Sequence, residues 1–367
     1  MPGLATTIEA TGIAIAANVP VLLWGSPGTG KTSAVVALAK EMGLPCEVVI
    51  ASIREPSDFA GLPIVSGAAG ETPHVTLAPP RWASRLAAAG RGVLFLDEIS
   101  TAPPAVQAAL LRVVLERSVG DLDLPDGIAV VAAANPPEEA ADGWDLSAPL
   151  ANRFCHLDWP VDARAFADGL IAGFPTPGAP TLPNGWKVRL AATKGFVAGF
   201  ATVRPGLVCA VPKDASTAGR GWPSPRSWET VARLLAAADV VGVSEGVRSA
   251  LVVGCVGEAA GIEFLTWLIE ADLPDPEAVL ADPESWDPPT RGDRAYAALA
   301  AVAAAVAANN TPERWAAGWR VLGRASKVAP DIAATAARIL ATCRPPGAPA
   351  PKEAAEFAPL LRDAGLL

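Results

Sequence analysis

The chain has 367 residues, 51% of them hydrophobic, with 29 Lys and Arg against 38 Asp and Glu and a formal charge of −9. That length predicts two or three domains with ample core, and the acidic balance speaks against a broad phosphate-contacting surface for DNA or RNA. The alanine-rich stretch 295–308 is shorter than the ~20 residues of a membrane span, and Met1-Pro-Gly-Leu-Ala lacks the basic start of a secretory signal, so the expectation is a cytoplasmic protein with no membrane contact.

A helix is predicted over about residues 5–17, followed by the apolar strand-like run 19–24. Next comes Gly25-Ser26-Pro27-Gly28-Thr29-Gly30-Lys31-Thr32, which leads through Ser33 into a helix ending near residue 42. Strand, glycine-rich turn and helix in that order form a phosphate-binding P-loop. Its glycines let main-chain N–H groups close around phosphates at the positive end of the helix. Lys31 is placed to reach the β- and γ-phosphates, and the Thr32 hydroxyl to ligate Mg²⁺. The residues themselves leave ATP and GTP open.

Further apolar β-type runs are predicted at 47–51, 92–96, 128–134 and 154–159, separated by helical patterns such as 105–117, where Val106, Leu110, Val113 and Val114 share one face. Near-continuous apolar strands alternating with helices imply a parallel sheet covered on both faces. Residues 61–80 interrupt the alternation as two β-prone pieces around a Gly-rich turn, the pattern of an inserted hairpin. The run Val93-Leu-Phe-Leu-Asp-Glu-Ile99 ends in two carboxylates. Asp97 at the strand tip would hold Mg²⁺, and Glu98 would polarise the attacking water as general base. Asn135, ending the next buried run, would orient that water or sense the γ-phosphate. From about residue 161 strand signals fade. The segment 173–186 is a Pro/Gly-rich linker, and 188–203, 227–237, 259–270, 294–308, 311–322 and 330–342 read as helices.

Five scattered cysteines without metal spacing predict reduced thiols. With only His74 and His156 present, histidine-based metal or triad chemistry is nearly excluded. The eleven tryptophans are dispersed and expected to anchor packing, and His156 is read as a filler rather than a base.

The set Gly25–Thr32, Val93–Ile99, Asn135 and Leu150-Ala-Asn-Arg-Phe154 resembles the AAA+ ATPases. Within them, Arg54-Glu-Pro-Ser-Asp-Phe-Ala-Gly-Leu-Pro63 with the following insert, and Trp222-Pro-Ser-Pro-Arg-Ser227, are similar to the MoxR branch. The resemblance covers about residues 1–240. It implies an α/β P-loop NTPase with a parallel sheet core over 1–160, a helical lid over 161–245, and a helical C-terminal extension over 246–367. It also implies ATP rather than GTP, Mg²⁺ as the accompanying ion, and a homo-oligomeric, most often hexameric, ring. Arg153 would be the arginine finger reaching a neighbour's γ-phosphate, and Arg226 would be a sensor acting in cis from the lid. The insert with Ile64, Val65 and His74 would face the channel or ring face, or be passive.

The reading that follows is an ATP-hydrolysing remodelling factor acting on a separate protein client, of which a von Willebrand factor A-type protein is the common kind. Two alternatives stay open. One is a nucleic-acid motor, disfavoured by the acidic charge; the other is a nucleotide-gated scaffold with little turnover, disfavoured by the Asp97–Glu98 pair and both arginines.

Overall fold

Five short apolar runs pair side by side in the computed structural model, which describes residues 3–67, 72–136, 139, 144–174 and 176–363. They are β1 (Val21–Trp24), β2 (Cys46–Ile50), β5 (Arg91–Asp97), β8 (Gly127–Ala134) and β9 (Cys155–Asp158), in the order β2-β5-β8-β1-β9. Every pairing is parallel. The apolar residues of β1, β5 and β8 are buried without alternation, as a sheet covered on both faces requires. The α/β parallel core expected from the sequence is the fold observed.

Register positions the functional edge. Trp24 lies opposite Ala134 on one side and Asp158 on the other, and Ile50 opposite Asp97. The chain therefore leaves β1, β5, β8 and β9 at the same edge of the sheet. Gly25 packs there against the next residue of β9's chain: a Cβ on Gly25 would stand 2.8 Å from the Trp159 Cβ and 2.9 Å from its carbonyl oxygen. Only glycine permits this approach.

The insert is a two-stranded antiparallel hairpin, β3 (Leu62–Ser66) with β4 (His74–Ala78), and the expected turn residues 68–71 lie outside the described residues. Leu62, Ile64, Val65 and Val75 are exposed on it. A second small hairpin, β6 (Ser118–Val119) with β7 (Leu122–Asp123), was not foreseen. It grips the base of the first: the Leu77 N–H donates to Asp121 Oδ2 (2.7 Å), and the Asp121 N–H to the Leu77 carbonyl (2.9 Å).

Two compact units emerge. The first comprises Met1–Leu182, Ala210–Leu234 and Val241–Gly261, and holds the sheet. The second comprises Pro183–Cys209, Leu235–Val240 and Ile262–Leu367, and is helical in its described residues. In the second unit the helices Lys187–Val203 and Gly292–Ala308 meet through small residues. A Cβ on Gly195 would come within 2.5 Å of Ala301 Cα, and one on Gly199 within 2.4 Å of Ala297 Cβ. The alanine-rich segment is thus a packed helix, and among the described residues no helix is long and apolar enough to cross a membrane.

In the first unit the helix Glu245–Val256 lies against β9 through Gly254, whose Cβ would meet the His156 carbonyl oxygen at 2.4 Å. Gly254→Ala is expected to lower unfolding stability by about 1–3 kcal/mol through overpacking. Gly246→Ala in the same helix has no neighbour nearer than 3.8 Å and should leave stability unchanged or raise it by up to about 1 kcal/mol. Urea or thermal unfolding of the two variants checks the contrast.

Candidate functional site

The loop after β1 is held open by its own backbone. Gly28 and Gly30 have φ of +73° and +88°, and a Cβ on either would project into open space. Non-glycine residues rarely adopt that left-handed conformation. Gly30 caps the helix Lys31–Glu41, so the helix N-terminus opens directly onto the loop. The Thr29 hydroxyl donates to the Ser26 carbonyl (2.7 Å), and the Gly25 N–H to the Ala134 carbonyl (3.1 Å). Pro27 in the loop and Ser33 in the helix are exposed.

Lys31 is buried and turns its ammonium into the loop, donating to the carbonyls of Gly25 (2.7 Å) and Ser26 (2.9 Å) and to Asn135 Oδ1 (3.3 Å). Burial lowers its pKa, opposed by the carboxylates of Asp97, Glu139 and Glu98. The Thr32 hydroxyl donates to Asp97 Oδ2 (2.7 Å), which brings the two expected Mg²⁺ ligands together. Hydroxyl and carboxylate oxygens are the hard donors that Mg²⁺ takes alongside phosphates. Open glycine positions, a cation in the loop and this oxygen pair fit a Mg²⁺-bound nucleoside triphosphate.

Glu98 follows β5 at φ +56° and is exposed beside the loop; its Oε2 accepts from the Ser52 hydroxyl at 2.5 Å. The Asn135 backbone is fixed by Ser100, whose hydroxyl bonds both its N–H and its carbonyl at 3.2 Å. Lys31, Thr32, Asp97, Glu98 and Asn135 therefore share one edge of the sheet.

Arg153 does not. It precedes β9, whose first residue, Cys155, pairs with Val21, so about 13 Å of strand separates that end from Gly25 of the same chain. The Arg153 guanidinium donates to the Pro149 carbonyl, while its buried Nε–H has no partner among the described residues. Its pKa is lowered by burial and, secondly, by the charge of Arg226. The two arginines thus belong to one electrostatic neighbourhood. Arg226 opens the helix Pro225–Val241 and is exposed.

Several residues here were missed by sequence reasoning. Ser52 and Ser100 hold Glu98 and Asn135. Trp159 donates its indole N–H to the Thr29 carbonyl at 3.1 Å. Asn152 joins the Arg153 turn to the Arg226 segment: its Nδ2 donates to the Trp222 carbonyl (3.0 Å), and its Oδ1 accepts from the Ser224 hydroxyl (2.7 Å). Ser224 and Ser227 bond reciprocally, each hydroxyl taking the other's N–H, at 2.8 and 3.1 Å. Ser224 directly before Pro225 is a helix-start pattern legible in the sequence; the other contacts span residues far apart and left no local mark.

His156 is a core residue. Its Nδ1 accepts from the Trp24 indole (2.9 Å), and its Nε2–H donates to the Ala151 carbonyl (2.8 Å), which fixes a neutral ring. Burial pushes its pKa down to about 4 from 6.5, with the Arg220 charge adding to the fall. The unfolded chain takes up a proton below pH 6.5 that the folded ring refuses until about pH 4, so this contribution is complete above 6.5 and is lost as pH falls toward 4. Between pH 7 and 4.5 the loss is on the order of 2–3 kcal/mol. His156→Gln should flatten the pH dependence of urea unfolding by about that amount relative to the parent.

Residues 21–154 match the family model described as "ATPase family associated with various cellular activities (AAA)". The chain is 31% identical over 147 residues to Holliday junction branch migration complex subunit RuvB from Synechococcus sp. (strain CC9605), covering 36% of this chain and 34% of that protein. The RuvB subunit from Prochlorococcus marinus (strain MIT 9303) is 32% identical over 143 residues, with the same shares of each chain. The chain spans about a third of the length of the curated relatives it matches. A crystal structure of a candidate ATPase from Cytophaga hutchinsonii is similar at 20% identity and a TM-score of 0.49, covering 73% of this chain and 90% of that one. The chain carries an AAA ATPase domain.

Proposed function

We propose that this protein hydrolyses ATP in a ring of like subunits, in the manner of the MoxR branch, and spends the energy on remodelling or activating a separate protein client. A von Willebrand factor A-type protein is the proposed kind of partner. The observation that carries the reading is the convergence of Lys31, Thr32, Asp97, Glu98 and Asn135 on one sheet edge, with Arg153 at the opposite end.

Lys31 would exchange its carbonyl partners for β- and γ-phosphate oxygens, and Thr32 and Asp97 would hold the metal. Bound Mg²⁺ supplies neutralisation and alignment of the triphosphate. Glu98, steered by Ser52, takes the proton of the attacking water, and Asn135 orients that water through its side-chain amide. Arg153 is too far down β9 to serve its own P-loop and would neutralise developing charge on the γ-phosphate held by a neighbouring copy. Arg226, at the start of the helix Pro225–Val241, is proposed to act in cis as a sensor of the γ-phosphate.

A second reading, a nucleic-acid motor, is favoured by the RuvB relatives, yet the match covers only 36% of this chain and 34% of theirs. Strong stimulation of phosphate release by branched or duplex DNA would select it.

The chemistry is tested by three variants in a steady-state phosphate-release assay with Mg²⁺ and ATP. Lys31→Ala should lose nucleotide binding. Glu98→Gln should bind but slow by about 10²-fold or more. Arg153→Ala should keep nucleotide affinity and slow by about 10³-fold. An equimolar mixture of Lys31→Ala and Arg153→Ala chains should recover a share of the turnover, because an intact Arg153 then meets an intact P-loop. Absence of recovery, or normal turnover by Arg153→Ala, refutes the shared site.

A further inference from the structure

Arg220 has no role in the machinery above, although it lies against the root of the P-loop. Its guanidinium carbon sits 4.2 Å above the centroid of the Trp24 indole, and its Nη1 is 2.9 Å from Asp158 Oδ1. Trp24 is the residue immediately before Gly25, and Asp158 the residue immediately before Trp159. Those two positions are the last of β1 and β9, paired directly with one another.

From this pair the contacts run straight into the loop. The Trp159 N–H donates to the Trp24 carbonyl (2.6 Å), its Cβ and carbonyl oxygen fill the space a Gly25 side chain would need, and its indole N–H holds the Thr29 carbonyl. On its other polar edge, the Trp24 indole N–H is fixed by His156. The Asp158 carbonyl in turn accepts from the Thr7 hydroxyl (2.8 Å). Arg220 is therefore the single side chain, among the described residues, that both covers the Trp24 ring as a cation and closes an ion pair with Asp158. It comes from residues 210–234, the stretch that also supplies the Trp222–Ser227 segment.

We propose that Arg220 is a positioning residue for nucleotide binding: by clamping Trp24 and Asp158 together it holds Gly25–Thr29 in the conformation that accepts phosphates. The chemistry suits the task. An Arg plane stacks on indole while its remaining N–H groups stay free to bind carboxylate, which the compact ammonium of Lys cannot do. Loosening the clamp widens the range of loop conformations in the free protein, and the apparent affinity falls by the fraction that stays competent. Once nucleotide is bound the loop is restored, so the chemical step is untouched. This places the effect in KM and Kd rather than in kcat.

The inference rests on the P-loop reading above, and the experiment separates the two. Binding of a fluorescent ATP analogue with Mg²⁺, steady-state hydrolysis and thermal unfolding are compared for the parent, Arg220→Ala, Arg220→Lys and Asp158→Asn. In Arg220→Ala, Kd and KM should rise about tenfold, with kcat at saturation within about twofold of the parent; Arg220→Lys and Asp158→Asn should fall between. A parent that binds no nucleotide refutes the P-loop reading itself. A parent that binds, with Arg220→Ala binding equally well, overturns the role of Arg220 alone. A fall in kcat alongside a fall in melting temperature, without any recovery in Arg220→Lys, also overturns it by making the residue merely structural.

Discussion

Four buried residues, Val21–Trp24, pair in parallel with β8 on one side and β9 on the other, and that shared direction is the constraint from which the site follows. Because parallel strands all run the same way, their carboxyl ends reach one edge, and the loops that leave them crowd together there. Gly25, Asn135 and Trp159 become neighbours for this reason, although more than a hundred residues separate the first from the others. A slip of one residue in β1 would turn its side chains to the opposite faces of the sheet, and the near-contact of Gly25 with Trp159 would be lost. The register is thus held by burial, and the loop geometry by the register.

Charge at that edge is arranged in a way that anticipates a cation. Among the described residues Lys31 is the base bonded into the loop, whereas Asp97, Glu98 and Glu139 all act on it electrostatically. A polyphosphate added to three carboxylates would be strongly repelled. A divalent ion would relieve the conflict, and Thr32 and Asp97, whose side chains meet at 2.7 Å, are the residues that would hold it.

The parts legible in the sequence were those whose physics is local. Gly28 and Gly30 announce positive φ angles, Asp97 and Glu98 terminate an unmistakably apolar strand, and the β-prone pieces around residues 67–73 announce a hairpin. What escaped was set by tertiary approach. Ser52 meets Glu98, and Trp159 meets Thr29, only after the sheet has formed. The β6–β7 hairpin has strands of two residues each, too short for any periodicity to register. No pattern along the chain could have revealed that the charge of Arg226 bears on Arg153. His156, by contrast, was read as a filler and is held as one by two hydrogen bonds.

Three arginines of the first unit differ in the partners that meet their charge. Arg220 has an aromatic face and a carboxylate, so its charge is satisfied within the first unit and its energetic contribution is to geometry. Arg153 has a backbone carbonyl, a buried N–H without a partner among the described residues, and a second arginine close enough to depress its pKa. Burying part of a guanidinium next to a like charge is unfavourable in an isolated chain. Toward an anion, the same two charges would instead add their attraction. Asn152, bonded to Trp222 and Ser224, ties the Arg153 turn to the segment carrying Arg226, so hydrogen bonds hold the two like charges in one neighbourhood against their repulsion. Arg153 thus keeps a buried N–H without a partner among the described residues, at the opposite end of the strand from its own P-loop.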